Sequence, residues 1–142
     1  MTTLKDIRAG LAANLLAVFP DAQCSGYVLS APSTPFFDIE LDNDGIEYDQ
    51  TFDRGLDLWL LVVRGVVAMT SDQGAQVTLD EWCASSGATS VKEALEADQT
   101  LGGAAQAIHV TKLNGYRKIG LPMAPTNAYL GAEWHVAIWA TG

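Results

Sequence analysis

The sequence predicts an α+β fold: a mainly antiparallel sheet packed by an N-terminal helix and two short central helices. Three observations predict it. Apolar residues near the N-terminus recur every three or four positions, as on one face of a helix. The run from Leu56 to Met69 keeps apolar residues on both parities, as a buried strand does. The last segment alternates between apolar and mixed residues with period two. At 142 residues the chain has the length of one domain, 1–142, able to bury roughly two-thirds of the surface that its unfolded form exposes.

Leu4, Ile7, Leu11, Leu15 and Val18 share one helical face, so a helix is expected over Thr3 to Val18, with Thr3 as its cap, Asp6 three residues on, and Pro20 ending it. Gln23 to Ser30 reads as a strand. Pro32 and Pro35 bracket an expected loop or extended arm. Phe36 to Leu41 alternates again, and Asn43-Asp44-Gly45 is a turn signal leading into Ile46 to Thr51, which together read as a hairpin.

Leu56 to Thr70 would span roughly 50 Å as one straight strand, so a bend or bulge is expected at Gly65. Leu58, Leu60, Val62 and Val66 lie on one parity and Trp59, Leu61, Val63 and Val67 on the other, which predicts a central strand covered on both sides. Ser71 or Asp72 caps a helix through about Cys83, and Ser90-Val91-Lys92-Glu93 has the spacing of a capping box for a second helix to about Asp98. Gly102-Gly103 then resets the chain. Ala107 to Ile119 is a strand candidate with a hairpin turn at Asn114-Gly115, and Gly120 to Asn127 reads as a proline-containing loop. Leu130, Ala132, Trp134, Val136 and Ile138 alternate with Tyr129, Glu133, His135 and Trp139, the clearest half-buried strand pattern in the chain.

Composition narrows the function. A hydrophobic share of 49% beside 18% charged residues leaves little polar surface once a core is filled, so some apolar surface is expected to meet other subunits. Eight Lys and Arg stand against seventeen Asp and Glu, a net charge of −9, which disfavours tight contact with nucleic-acid phosphates. Cys24 and Cys83 lack a CxxC spacing and no basic or apolar secretory pattern opens the chain, which fits a reduced, cytosolic place of synthesis. The longest apolar run, Leu58 to Met69, is broken by Arg64 and Gly65 and falls short of the ~20 residues of a membrane helix, so no membrane partner is expected.

Candidates for chemistry are few. His109 and His135 fall on neighbouring expected strands, but a metal site needs further ligands, and Cys24 and Cys83 read as small core residues. Eight of the seventeen acidic residues fall between Asp38 and Asp57. Glu40, Asp42, Asp44 and Gly45 imitate the start of a calcium loop, but Thr51 stands where the bidentate Glu belongs. A solvated hairpin tip is the simpler reading. A second reading has the tip face a channel through which DNA moves, where like charge keeps the polymer from sticking. No phosphate loop and no Ser, His and Asp arrangement can be drawn. No enzyme activity, cofactor or metal is expected.

The runs RGLDLWLLVVR (Arg54 to Arg64), TSDQGAQVTLDEW (Thr70 to Trp82), SGATSVKEALEADQTLGG (Ser86 to Gly103) and YLGAEWHV (Tyr129 to Val136) resemble the small neck proteins of long-tailed bacteriophages. Within these the likeness is to tail terminators, also called tail completion or tail-to-head joining proteins, of actinobacterial phages. It extends to TLKDIRAGLAANL (Thr3 to Leu15) and GYVLSAP (Gly26 to Pro32). The resemblance implies a virion protein, assembled in the cytoplasm of the bacterial host. It would form a six-fold ring on the end of the tail tube, stop tube polymerisation and offer a docking face to the head. The partners it implies are further copies of the chain, the major tail tube protein and a head completion or other neck protein, while genomic DNA passes through without specific binding. Under it, Asp42, Asp44, Glu47 and Asp49 are expected to line the lumen. Pro32, Pro35, Phe36, Phe37, Leu121, Pro122, Met123, Pro125 and Tyr129 are expected in loops touching adjacent subunits or the tube. The alternatives are another neck component, a head completion or adaptor protein, and a small α+β enzyme or ligand-binding module in which Trp59, Trp82, Trp134, His109 and His135 converge on a pocket.

Overall fold

The computed structural model describes residues 2–28, 34–50, 55–69, 72–121 and 124–141. In chain order they form α1 (Leu4–Val18), β1 (Gln23–Cys24), β2 (Phe36–Glu47), β3 (Asp57–Ala68), α2 (Asp72–Trp82), α3 (Val91–Glu96), a 3₁₀ turn at Leu101–Gly103, β4 (Ala107–Leu121) and β5 (Ala124–Ala140). The strands make one sheet in the order β1-β2-β3-β5-β4, antiparallel except for the short β1–β2 pair. The fold is α+β.

α1 and α3 are each begun by a local hydrogen bond that replaces a missing helical partner, while the cap expected for α2 at Ser71 lies outside the described residues. The Thr3 hydroxyl accepts from the Asp6 N–H at 3.3 Å while the Asp6 carboxylate accepts from the Thr3 N–H at 2.9 Å, a full capping box. The Ser90 hydroxyl accepts from the Glu93 N–H at 3.2 Å. Glu93 does not reciprocate as the S-x-x-E spacing predicts, because its carboxylate takes the Gly87 N–H at 2.6 Å and closes the preceding turn instead.

One face of the sheet carries the core. Phe37 and Ile39 of β2, Trp59, Leu61, Val63 and Val67 of β3, and Leu130, Ala132, Trp134, Val136 and Ile138 of β5 pack with Ile7, Leu11 and Leu15 of α1, Leu79 and Trp82 of α2, and Val91 and Leu95 of α3. Each such fully buried aliphatic side chain contributes about 1.5–3 kcal/mol. Phe19, Phe37 and Trp82 form an aromatic triangle with ring centres 4.7 to 5.5 Å apart, and Trp134 joins it at 6.5 Å from Phe37. Trp59, Trp82 and Trp134 thus serve the core, as does half-buried Cys83. Burial pushes the Cys24 and Cys83 thiols up to about 11, with Asp80 adding to the shift of Cys83, so neither is a ready nucleophile.

Several expectations are corrected. β3 is the central strand, but the helices cover only one of its faces. On the other face Leu58, Leu60 and Arg64 stay half-exposed beside a small second cluster of Phe36, Val66 and Tyr129. Gly65 makes no bend: β3 pairs in unbroken register with β5. A Cβ at Gly65 would lie 2.8 Å from the Phe37 ring and 2.9 Å from the Trp134 ring, so glycine here admits two aromatic rings.

Of the strand expected over Gln23 to Ser30, Gln23–Cys24 is strand and residues 25–28 are not, while residues 29–30 lie outside the described residues. Asn43-Asp44-Gly45 is not a hairpin turn. β2 pairs with β3 on both sides of it, Leu41 with Leu61 and Ile46 with Trp59, so the extra residues form a bulge with Gly45 at φ +65°. Asn114-Gly115 is likewise a bulge inside β4, with Gly115 at φ +66°. Within the loop expected over Gly120 to Asn127, residues 120–121 and 124–127 are strand, with Leu121 paired to Ala124 and Ile119 to Tyr129, while Pro122 and Met123 lie outside the described residues.

Candidate functional site

The residues expected to touch neighbours separate on inspection. Phe36 and Phe37 lie in β2 with no exposed surface, and Tyr129 lies in β5 at 6%, so these three pack within the chain rather than in contact loops. Pro35 is half-buried at the entry to β2. The backbone at Leu121 and Pro125 continues β4 and β5. Pro32, Pro122 and Met123 lie outside the described residues.

The acidic residues also part. Asp38 is buried, and its carboxylate accepts from Arg64 Nε at 3.0 Å and Nη2 at 2.7 Å. That bond raises the Arg64 pKa above its ordinary value, against a lowering by burial. Asp57, 9% exposed, accepts the Asp49 N–H at 3.0 Å, which fixes Asp49 at φ +58°. Asp42 sits on the β2 bulge and reaches across β3 to β5, where its Oδ2 lies 3.1 Å from His135 Nδ1. The other ring nitrogen, Nε2, is 2.9 Å from Asn114 Oδ1 on β4. His135 therefore ties the bulges of β2 and β4 together over the open face. Burial pushes the Asp42 carboxyl up, but the hydrogen bond with His135 and the N–H groups of Asp44 and Asn43 outweigh it and hold the group below its ordinary value. Glu40, Asp44, Glu47 and Asp49 are exposed.

A cleft of about 340 Å³ lies beside this tie, lined by Asp42, Asp44, Leu60, Thr111, Lys112, His135 and Val136. His109 does not enter it and pairs with Glu96 of α3 at 3.5 Å. The two histidines thus answer to different carboxylates, and no group of three His, Cys, Asp or Glu side chains among the described residues is placed to hold a metal ion.

Topology brings out a pattern that sequence reasoning missed. β2 (FFDIELDNDGIE) carries five carboxylates and no cation, while β4 (AIHVTKLNGYRKIGL) carries Lys112, Arg117 and Lys118 and no carboxylate. β1 covers only Phe36 and Phe37 of β2, so Glu40 to Glu47 and the whole of β4 occupy opposite margins of the sheet. Three strand spacings, roughly 14 Å, separate their backbones, although at the bulges Asp44 and Lys112 line the same cleft. Between them the open face carries half-exposed Leu58, Leu60 and Trp139 beside His135, with Val62 and Ala137 on the same side already buried. An apolar centre flanked by charge has the composition of a protein contact. The signal, three cations without an acid over Ala107 to Leu121, is present in the sequence. Only the strand order tells that it lies opposite β2.

Among the described residues no helix is long and apolar enough to cross a membrane. Compared with known proteins, the chain matches no family model and no curated relative.

Proposed function

We propose that this chain is a structural subunit of a bacteriophage neck, a tail terminator. Copies form a ring on the head-proximal end of the tail tube, end tube polymerisation and join tail to head. The resemblance of Arg54 to Gly103 to such proteins carries the reading. That stretch forms β3, α2, α3 and the Leu101–Gly103 turn, the centre of an α+β domain of the kind the resemblance implies. The division of the sheet into an acidic and a basic margin supports it further, because a ring needs two different contact surfaces on each subunit. Copies of the chain, six by the resemblance, meet the tube protein on one side and a neck protein on the other. The net charge of −9 suits a collar through which DNA slides without adhering.

Electron microscopy of particles assembled without the chain tests this role. Overlong or unjoined tails support a terminator. Complete tails beside heads that leak DNA assign the chain to head completion, the neighbouring neck role.

A further inference from the structure

Both outer strands of the sheet run beyond their partners: β1 covers only Phe36 and Phe37 of β2, and among the described strands β4 pairs on one side alone. Such edges carry N–H and C=O groups that another strand can join. An incoming strand needs an even register, and each edge offers one main stretch of it. On β2 this is Phe36 to Leu41, before the bulge that ends at Ile46, and on β4 it is Ala107 to Val110, before the shift to Lys112. In each stretch a charged helix side chain already holds a backbone group on the outer side.

Arg8 of α1 does so on β2. The Ser25 N–H donates to the Phe37 carbonyl at 2.9 Å, which marks that side as outward, and the Ile39 carbonyl two residues on shares it. Arg8 Nη1 donates to the Ile39 carbonyl at 2.8 Å and to the Gly26 carbonyl at 2.6 Å. A Cβ at Gly26 would lie 2.8 Å from Arg8 Cβ, so glycine lets the segment after β1 come close enough for this. Glu96 of α3 does the same on β4. Its Oε2 accepts from the outward N–H of Val110 at 2.8 Å, while Lys92 Nζ holds the two carboxylate oxygens at 2.6 and 2.8 Å and His109 Nδ1 stands 3.5 Å away. A donor thus occupies a carbonyl on one margin, and an acceptor occupies an N–H on the other.

We infer that Arg8 and Glu96 are edge guards, which keep β2 and β4 from pairing with a strand of a second copy of this chain. The strand so excluded is another copy's, because every copy carries the same two even stretches. Past those stretches the bulges themselves hinder strand addition. Contacts between copies then run through side chains, whether or not the chain sits in a phage neck.

Glu96→Met and Arg8→Met test the guards on the full chain, since methionine keeps a long, helix-forming side chain but neither accepts nor donates as the native group does. Glu96→Gln is the companion variant, because its amide oxygen can still accept from the Val110 N–H. Sedimentation velocity over a concentration series and residue-resolved hydrogen exchange would compare all three with the wild type, and urea midpoints would establish that they are folded. In dilute Glu96→Met the Val110 amide is expected to exchange about tenfold faster than in the wild type. As its concentration rises, species larger than any the wild type forms are expected, and Val110 regains its protection in them because a carbonyl of the second copy accepts its N–H. Arg8→Met is expected to form larger species too, with Val110 exchanging as it does in the wild type. Glu96→Gln should match the wild type throughout. A folded Met variant that sediments as the wild type does at every concentration overturns the inference. Association of Glu96→Met in which Val110 stays fast also overturns it, as clumping of a weakened chain. So does a Met variant that fails to fold, since its residue is then part of the framework rather than a guard. Equal association of Glu96→Gln would trace the effect to lost charge instead of the freed N–H, and overturns it as well.

Discussion

Arg64 on β3 grips Asp38 on β2 through two parallel hydrogen bonds, at 3.0 and 2.7 Å, while its guanidinium lies 5.4 Å from the centre of the Phe36 ring. The planar fork of arginine allows both contacts at once. The Asp38 side chain is 4% exposed and that of Arg64 is 32% exposed, so the carboxylate depends on the guanidinium far more than the reverse. Arg64→Met is expected to cost about 2 kcal/mol, less than the roughly 3–5 kcal/mol of a fully buried pair because water reaches Arg64. Adding Asp38→Leu to Arg64→Met should recover part of that loss, since the buried carboxylate then goes together with its guanidinium. Urea unfolding of the single and double variants measures it.

Gly65→Ala is expected to destabilise by about 2 kcal/mol through overpacking. The new Cβ would stand within 3.0 Å of both the Phe37 and Trp134 rings. Tryptophan fluorescence should shift along with the unfolding midpoint, because Trp134 has to move. An unchanged midpoint would mean that the rings are less tightly set than they stand here.

The tie between Asp42 and His135 gives a pH prediction with a definite sign. The Asp42 carboxyl is held below its ordinary value of 3.8, so its contribution to stability is present above that value and is lost as pH falls through the lower folded value. Asp42→Asn should therefore lower stability by about 1.5 kcal/mol near neutral pH, and the gap to wild type should narrow as pH falls below the ordinary carboxyl value and close once Asp42 is protonated in the folded chain. Urea midpoints of both proteins across that range check it. Asp44→Asn and Glu47→Gln, whose side chains are exposed, should change stability by no more than about 0.5 kcal/mol.

Ser90→Ala should cost about 1–2 kcal/mol. The buried hydroxyl accepts from Glu93 N–H and donates to the Ala84 carbonyl at 2.5 Å, so its loss opens both α3 and the turn before it. Hydrogen exchange should rise first over residues 84–96.

What was legible in the sequence was what is local. The spacing of Leu4, Ile7, Leu11 and Leu15 with Thr3 and Asp6 gave α1 nearly to the residue, and the alternation from Leu130 to Ile138 gave the buried face of β5. The two Asn-and-Gly signals misled for one physical reason. A left-handed glycine serves a two-residue turn and a bulge equally well, and only the partner strand, β3 for Gly45 and β5 for Gly115, decides between them. Phe36, Phe37 and Tyr129 looked like loop contacts because nearby prolines resembled loop punctuation, yet Pro35 stands directly before β2 and Pro125 lies inside β5. The charge division was hidden because it depends on β5 returning between β3 and β4, a long-range pairing that no local pattern encodes.

Growth of tail tubes from purified tube protein, followed by electron microscopy with and without this chain, tests the central claim most directly. Rings of the chain at tube ends, and tubes that stop lengthening once capped, are the expected result. Tubes that grow on unaltered, with the chain remaining free in solution, would contradict it.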